Sequence, residues 1–183
     1  MHLLMHICCA NCALYPLKTL KDRGIEVQGL WYNPNIHPFT EYRARLNALR
    51  ELQKSWKLDI RYIEDYGLRE FVREVAYREE SRCSYCYQVR LEKTARMAGE
   101  LGMDGFTTSL LVSPYQKFDR IVETGQTLQE RYNIEFFIED FRHGWKNGVK
   151  LSRELGLYRQ KYCGCIYSEM ERYTSDGVKG LGS

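Results

Sequence analysis

Seven cysteines fall in three short groups: Cys8, Cys9 and Cys12 in HICCANC, Cys83 and Cys86 in RCSYC, and Cys163 and Cys165 in YCGCIYS. Thiolates are soft ligands and strong nucleophiles, so each group can hold a metal or exchange electrons as thiol and disulfide. A Cys-x2-Cys pair turns two sulfurs to one side of the backbone, and two such pairs complete a four-thiolate shell. By spacing, that shell is Cys9, Cys12, Cys83 and Cys86. It suits a tetrahedral structural zinc or a [4Fe–4S] cluster equally. A zinc site alone leaves three thiols unused. The CGC pair brings its α-carbons within disulfide range, and so small a ring is strained and readily reduced again. We therefore expect Cys163 and Cys165 to form a redox-active pair; the alternatives are two small buried residues or two further ligands.

Other reactive side chains give weaker signals. His6 sits on an apolar run and reads as a core or hydrogen-bonded histidine. His37 and His143 are not spaced as a metal pair. Tyr85, Tyr87, Tyr162 and Tyr167 flank the thiols; such rings can stack on a nucleobase, but their default role is packing. Residues 142–161 are basic with a single acid, Glu154, and adjoin CGC, so they are a candidate surface for a phosphate backbone. Asp104, Asp140 and the tyrosines near the thiols are candidate proton donors, and none is assigned.

These residues must be positioned by a fold, and the hydropathy pattern indicates which. Strand-like segments at 3–7, 25–33, 58–64, 104–114 and 133–140 alternate with helical ones at 13–24, 39–56, 67–80, 84–102 and 118–132. That alternation predicts a three-layer α/β/α sandwich with a parallel sheet of about five strands. Gly24 and Gly102 follow helices as C-terminal stops, and Thr40 is an expected N-cap. One domain is expected over residues 1–173, with 174–183 a Gly- and Ser-rich flexible tail. In open parallel sheets ligands bind in the loops at the carboxyl ends of the strands. Cys8, Cys9 and Cys12 fall in the first such loop, where a glycine-rich phosphate loop often lies. No glycine occupies it here.

The bulk composition is that of an ordinary soluble domain, with 44% hydrophobic and 28% charged residues and a net charge of +3. A signal peptide is not apparent, and no apolar run is long enough to span a membrane. A cytoplasmic protein is expected. In that reducing compartment a framework of structural disulfides is not.

With all three thiol groups in view, the chain resembles the QueH-type epoxyqueuosine reductases over about residues 2–173. The resemblance rests on HICCANC, RCSYC and YCGCIYS in this order and spacing. It implies a fold related to the HUP and PP-loop nucleotide-binding domains and a [4Fe–4S] cluster, with no cobalamin. It also implies the last step of queuosine synthesis: two-electron removal of the epoxide oxygen, as water, from epoxyqueuosine at the wobble position of tRNA. The electron donor is not specified. Carried over residue by residue, the resemblance assigns Cys8, Cys9, Cys83 and Cys86 to the cluster and Cys163 and Cys165 to redox chemistry. The spacing argument favours Cys12 over Cys8, and Cys12 stays a candidate. Two other readings are weighed against this one. An iron–sulfur-dependent tRNA thiolase would need an SGGxDS-like phosphate loop after the first strand, and a non-catalytic zinc module would leave CGC without a purpose.

Overall fold

The computed structural model describes residues 1–180. Five parallel strands form one sheet in the order β3-β2-β1-β4-β5: β1 His2–His6, β2 Glu26–Trp31, β3 Ile60–Tyr62, β4 Gly105–Thr108 and β5 Glu135–Phe136. The chain winds outward from β1 to β3 and then returns to place β4 on the other side of β1. The sheet's switch point is therefore the β1/β4 junction, where a crevice opens at the carboxyl ends of the strands.

The central strand is apolar on both faces because helices cover both. Leu3, Leu4 and Met5 are fully buried, as expected of a strand inside a parallel sheet. Helix α1 (Ala10–Asp22) packs on α2 (Phe39–Trp56), while α4 (Arg82–Glu100) packs on β1, β4 and α5 (Phe118–Tyr132). The three-layer expectation holds. At Gly29 an added Cβ would lie 2.8 Å from Ile7 Cδ1, so the absence of a side chain lets β2 lie beside the end of β1.

The boundaries differ from the sequence reading in instructive ways. Strands β3 and β5 are short, and β4 ends at Thr108, where the Thr108 hydroxyl accepts from Leu110 N–H and starts a 3-10 turn over Ser109–Val112. Helix α3 covers only Leu68–Val75. Helix α2 begins after Pro38 without a side-chain cap, so Thr40 lies inside the helix rather than at its cap. Gly24 and Gly102 both take positive φ just after their helices, as expected.

Two helices are absent from the sequence reading: α6 (Trp145–Glu154), which packs on α1, and α7 (Ile166–Gly180). The backbone of residues 174–180 is thus helical where a tail is expected, and the last three residues of that segment lie outside the described residues. Among the described residues no helix is long and apolar enough to cross a membrane.

Candidate thiol site

The loop after β1 is shorter than expected because α1 begins at Ala10, directly behind the first two cysteines. Cys9 is its N-cap: the backbone is extended, at φ −169° and ψ 162°, and Cys9 Sγ accepts from Cys12 N–H at 3.4 Å. Cys12 is therefore inside the first helical turn rather than in a loop. This geometry turns adjacent residues toward a common point, which a continuous strand cannot do. The sulfurs of Cys8, Cys9 and Cys12 all lie within 4.8 Å of one another, and all three are buried.

The triad's surroundings split its proton affinities. The thiols of Cys12 and Cys9, with the Ser109 hydroxyl at 3.5 Å, donate toward Cys8 and hold it well below the ordinary thiol range. The proton shared with Cys8 and Cys9 pushes Cys12 up. Burial pushes Cys9 up to about 12. The group is thus suited to carrying negative charge on Cys8, with two thiols supporting it. His6, one turn of chain away, is fully buried between Thr108 Oγ1 at 2.9 Å and Asn33 Oδ1 at 3.1 Å, and burial lowers its pKa to about 4. It is the hydrogen-bonded core histidine expected from sequence.

The other two thiol groups meet each other at the start of α4. Cys86 and Cys165 are buried in one apolar cluster with Phe71 and Val75, against which Tyr85 and Tyr167 pack. Burial raises the Cys86 thiol to about 12. Cys83 lies one turn earlier, half-buried. Cys163 stands at the lip of a cavity of about 710 Å3 that Cys8 and Cys12 also line. The protein crowded around its sulfur raises its pKa, and an N–H from Gln116 at 3.2 Å opposes that rise. The structure thus brings Cys8, Cys9 and Cys12 together and places Cys163 on the same cavity. Cys83 and Cys86 are not within the same 4.8 Å grouping.

Gly164 joins the CGC pair at φ +150°, in the region that favours glycine. Its carbonyl accepts from His37 N–H at 2.7 Å, and the Tyr162 hydroxyl donates to the His37 carbonyl at 2.8 Å. Arg45, 1% exposed, donates to the carbonyls of Cys163 at 2.8 Å and Tyr162 at 3.0 Å, while its Nε pairs with Glu41 at 2.7 Å. Both cysteines of this pair are free thiols.

Several side chains that the sequence gave no reason to single out complete the site. Arg90, 3% exposed, lines the cavity, and its Nε donates to the Cys86 carbonyl at 2.6 Å. Gln160 donates to Cys9 Sγ at 3.0 Å and is oriented by Asn11, whose amide donates to Gln160 Oε1 at 2.7 Å. Gln116 is oriented in the same way by the Tyr87 hydroxyl at 2.9 Å. The triad and the CGC pair therefore each have an amide N–H aimed at sulfur, an arrangement that favours the thiolate.

The two aspartates weighed as acids are elsewhere. Asp104 binds the N-terminal amine and His2 N–H at the opposite end of the sheet, and Asp140 is paired with Arg142.

A sequence profile described as "Epoxyqueuosine reductase QueH" matches residues 3–171. The chain belongs to the QueH family. A relative of that name from Dehalococcoides mccartyi is 37% identical over 171 residues, covering 93% of this chain and 94% of its own. Another, from Thermotoga maritima, is 37% identical over 179 residues, covering 92% and 91%. Among solved structures, a predicted subunit of tRNA methyltransferase from Methanocaldococcus jannaschii superposes with a TM-score of 0.54 at 19% identity, covering 84% of this chain and 76% of its own. That likeness concerns the fold alone. Membership in the QueH family directs attention to the thiols, and their chemistry fits a soft metal: three buried sulfurs converge with no carboxylate among them.

Proposed function

We propose that this chain is an epoxyqueuosine reductase that acts on tRNA, removing the epoxide oxygen of the wobble nucleoside as water to leave queuosine. The observation that carries the reading is the shared cavity, which is lined by Cys8 and Cys12 of the buried triad, by Cys163, and by the buried Arg45 and Arg90.

The reaction consumes two electrons and two protons. The epoxide loses its oxygen, two carbons become an alkene, and the oxygen leaves as water. Closing the CGC pair from dithiol to disulfide releases two electrons and two protons, so the step balances, and a reductant then restores the dithiol. Crowding keeps Cys163 protonated at neutral pH, so its sulfur holds a proton over the cavity. This supplies the proton donor that neither aspartate provides. Arg45 and Arg90 oppose the negative charge of the thiolates and of the departing oxygen. Gln116 and Gln160 orient the two thiol groups.

In this reading Cys8 and Cys9 of the triad, with Cys83 and Cys86 as the further thiolate pair, would hold a [4Fe–4S] cluster, and Cys12 is the alternative to Cys8 as a ligand. When bound, such a cluster supplies one-electron transfer and a Lewis-acid contact. No cobalamin is needed. The basic segment 142–161 contributes Arg159 and Lys161 to the cavity rim, where they meet the RNA backbone.

The test is anaerobic reconstitution followed by iron and sulfide analysis and turnover on an anticodon stem–loop carrying epoxyqueuosine. Cys163→Ser and Cys165→Ser should keep their iron and lose multiple turnovers. After one turnover without reductant, the intact protein should be two protons lighter, with the bridge in the peptide holding both residues. Zinc in place of iron, or normal turnover by both variants, would overturn the reading.

A further inference from the structure

The four tyrosines that flank the thiols are occupied in packing or internal hydrogen bonds. Tyr85 and Tyr167 pack on Phe71, Tyr87 bonds Gln116, and Tyr162 bonds the His37 carbonyl. The ring open to solvent at the cavity is a different one. Tyr115 is 82% exposed, and its ring meets that of Trp145 edge to face, with centroids 5.9 Å apart and planes at 82°. Both residues line the cavity rim together with Arg159 and Lys161.

This pair is held in place by its backbone. Tyr115 N–H donates to Ser113 Oγ at 3.3 Å, and Gln116 N–H closes the same turn on the Ser113 carbonyl. Trp145 opens α6 directly after Gly144, where an added Cβ would lie 2.0 Å from the Tyr15 ring. That contact locks the entry to the helix. The result is an aromatic corner on a cavity that two exposed cations also line. Among the described residues neither cation has a carboxylate within 4.0 Å.

We propose that Tyr115 and Trp145 form a stacking platform for the nucleobase next to the modified one, while Arg159 and Lys161 hold the phosphates that join them. The inference rests on the tRNA reading above and adds a second nucleotide to it. An open π face on a cavity lined by two exposed cations matches a splayed single-stranded loop, whose bases are unstacked and whose backbone is anionic. A nucleotide is favoured over a protein partner here because the same cavity holds the thiols that act on the neighbouring nucleoside in the reading above.

The experiment measures binding of an anticodon stem–loop carrying epoxyqueuosine, and of loops in which either flanking nucleotide is abasic. Tyr115→Ala should weaken binding of the intact loop about five- to a hundredfold, the range for one lost base–aromatic stack. Tyr115→Phe should bind normally, since the ring and not the hydroxyl is used. One of the two abasic loops should bind the unaltered protein as weakly as Tyr115→Ala binds the intact loop, with little further loss when the two changes are combined. Binding by Tyr115→Ala should keep its salt dependence, whereas Lys161→Ala should lower the salt slope by about one.

Because Tyr115 is exposed, its alanine variant tests the site without disturbing the core. Trp145→Ala is the second variant; the unaltered protein should show tryptophan quenching on binding that this variant loses. Normal binding of the intact loop by both alanine variants, or abasic loops that bind as well as the intact one, would overturn the platform alone. Failure of the unaltered protein to bind any stem–loop would overturn the tRNA reading, and the platform with it.

Discussion

The thiols after β1 and the thiols before α7 share one cavity but are held in different ways. Cys8, Cys9 and Cys12 sit where the central strand meets a helix N-terminus, with exposures of 6%, 2% and 4%. Their positions are set by β1, which is paired on both sides, and by the first turn of α1. The CGC pair lies on an irregular segment between two helices. It is tied to the body by hydrogen bonds involving Arg45, His37, Tyr162 and Gln116 and by the burial of Cys165 beside Phe71 and Val75, while Cys163 is exposed. A metal centre needs donors that do not move, because ligand geometry sets affinity. A thiol pair that opens and closes needs a backbone that can adjust. The difference in support therefore matches the difference in proposed chemistry, and removing each support in turn tests it.

The largest effect is expected at the triad. Cys8→Ser and Cys9→Ser should each lose most of the bound iron after anaerobic reconstitution, whereas Cys163→Ser should retain it. Equal loss in both groups, measured by iron and sulfide content, would erase the distinction between a fixed and an adjustable thiol group.

Arg45 comes next. Replacing it with Met removes the anchor of the Tyr162 and Cys163 carbonyls and leaves the Glu41 carboxylate buried without its partner. Breaking a buried pair in this way costs about 3–5 kcal/mol. Denaturant unfolding should show that loss. Alkylation of Cys163 and Cys165 should accelerate in the native protein, while the triad thiols keep their protection.

The smallest effect is a pH dependence. His37 is fully buried, and its ring lies against Tyr66 and Phe71. Burial lowers its pKa from 6.5 to about 4. Because the folded value lies below the unfolded one, the neutral ring's contribution is complete above pH 6.5. It is lost as the pH falls toward 4, since the unfolded chain binds the proton first. The loss is on the order of 3 kcal/mol at most, taking 1.36 kcal/mol per pH unit. Since His37 also carries the backbone bond to Gly164, mild acid should expose the CGC thiols to alkylation before the triad. His37→Phe should remove the effect, because the phenyl ring does not titrate. Simultaneous exposure of both groups would show that the CGC segment is no looser than the sheet.

Much of the fold was legible because local patterns carry it. The doubly buried run at residues 3–7 could only be an inner strand, and Gly24 and Gly102 marked helix ends through their backbone freedom. Helix α6 was not legible: WKNGVKLSRE has too few apolar residues to show a period, and its burial comes from packing on α1. Helix α7 was missed for a related reason, since its last turns read as a polar Gly- and Ser-bearing tail. Cys12 was assigned to a loop because nothing in CCANC announces that a cysteine will serve as the N-cap.

The sequence by itself determined the strand and helix alternation, the three thiol groups and the placement of the first group at a strand end. These follow from local hydropathy and from residue types that have few other uses. Only the tertiary structure decided which residues surround the sulfurs. Arg45, Arg90, Gln116, Gln160, Tyr115 and Trp145 are distant in the chain, and by type they read as solvated or packing residues. They meet because the strand order sets β4 beside β1, which brings the turn after β4 against the helix that carries Cys12, and α6 packs on that same helix. Periodicity tells which face of an element is buried. It does not tell what that face is buried against, and the chemistry of this site depends on the partner.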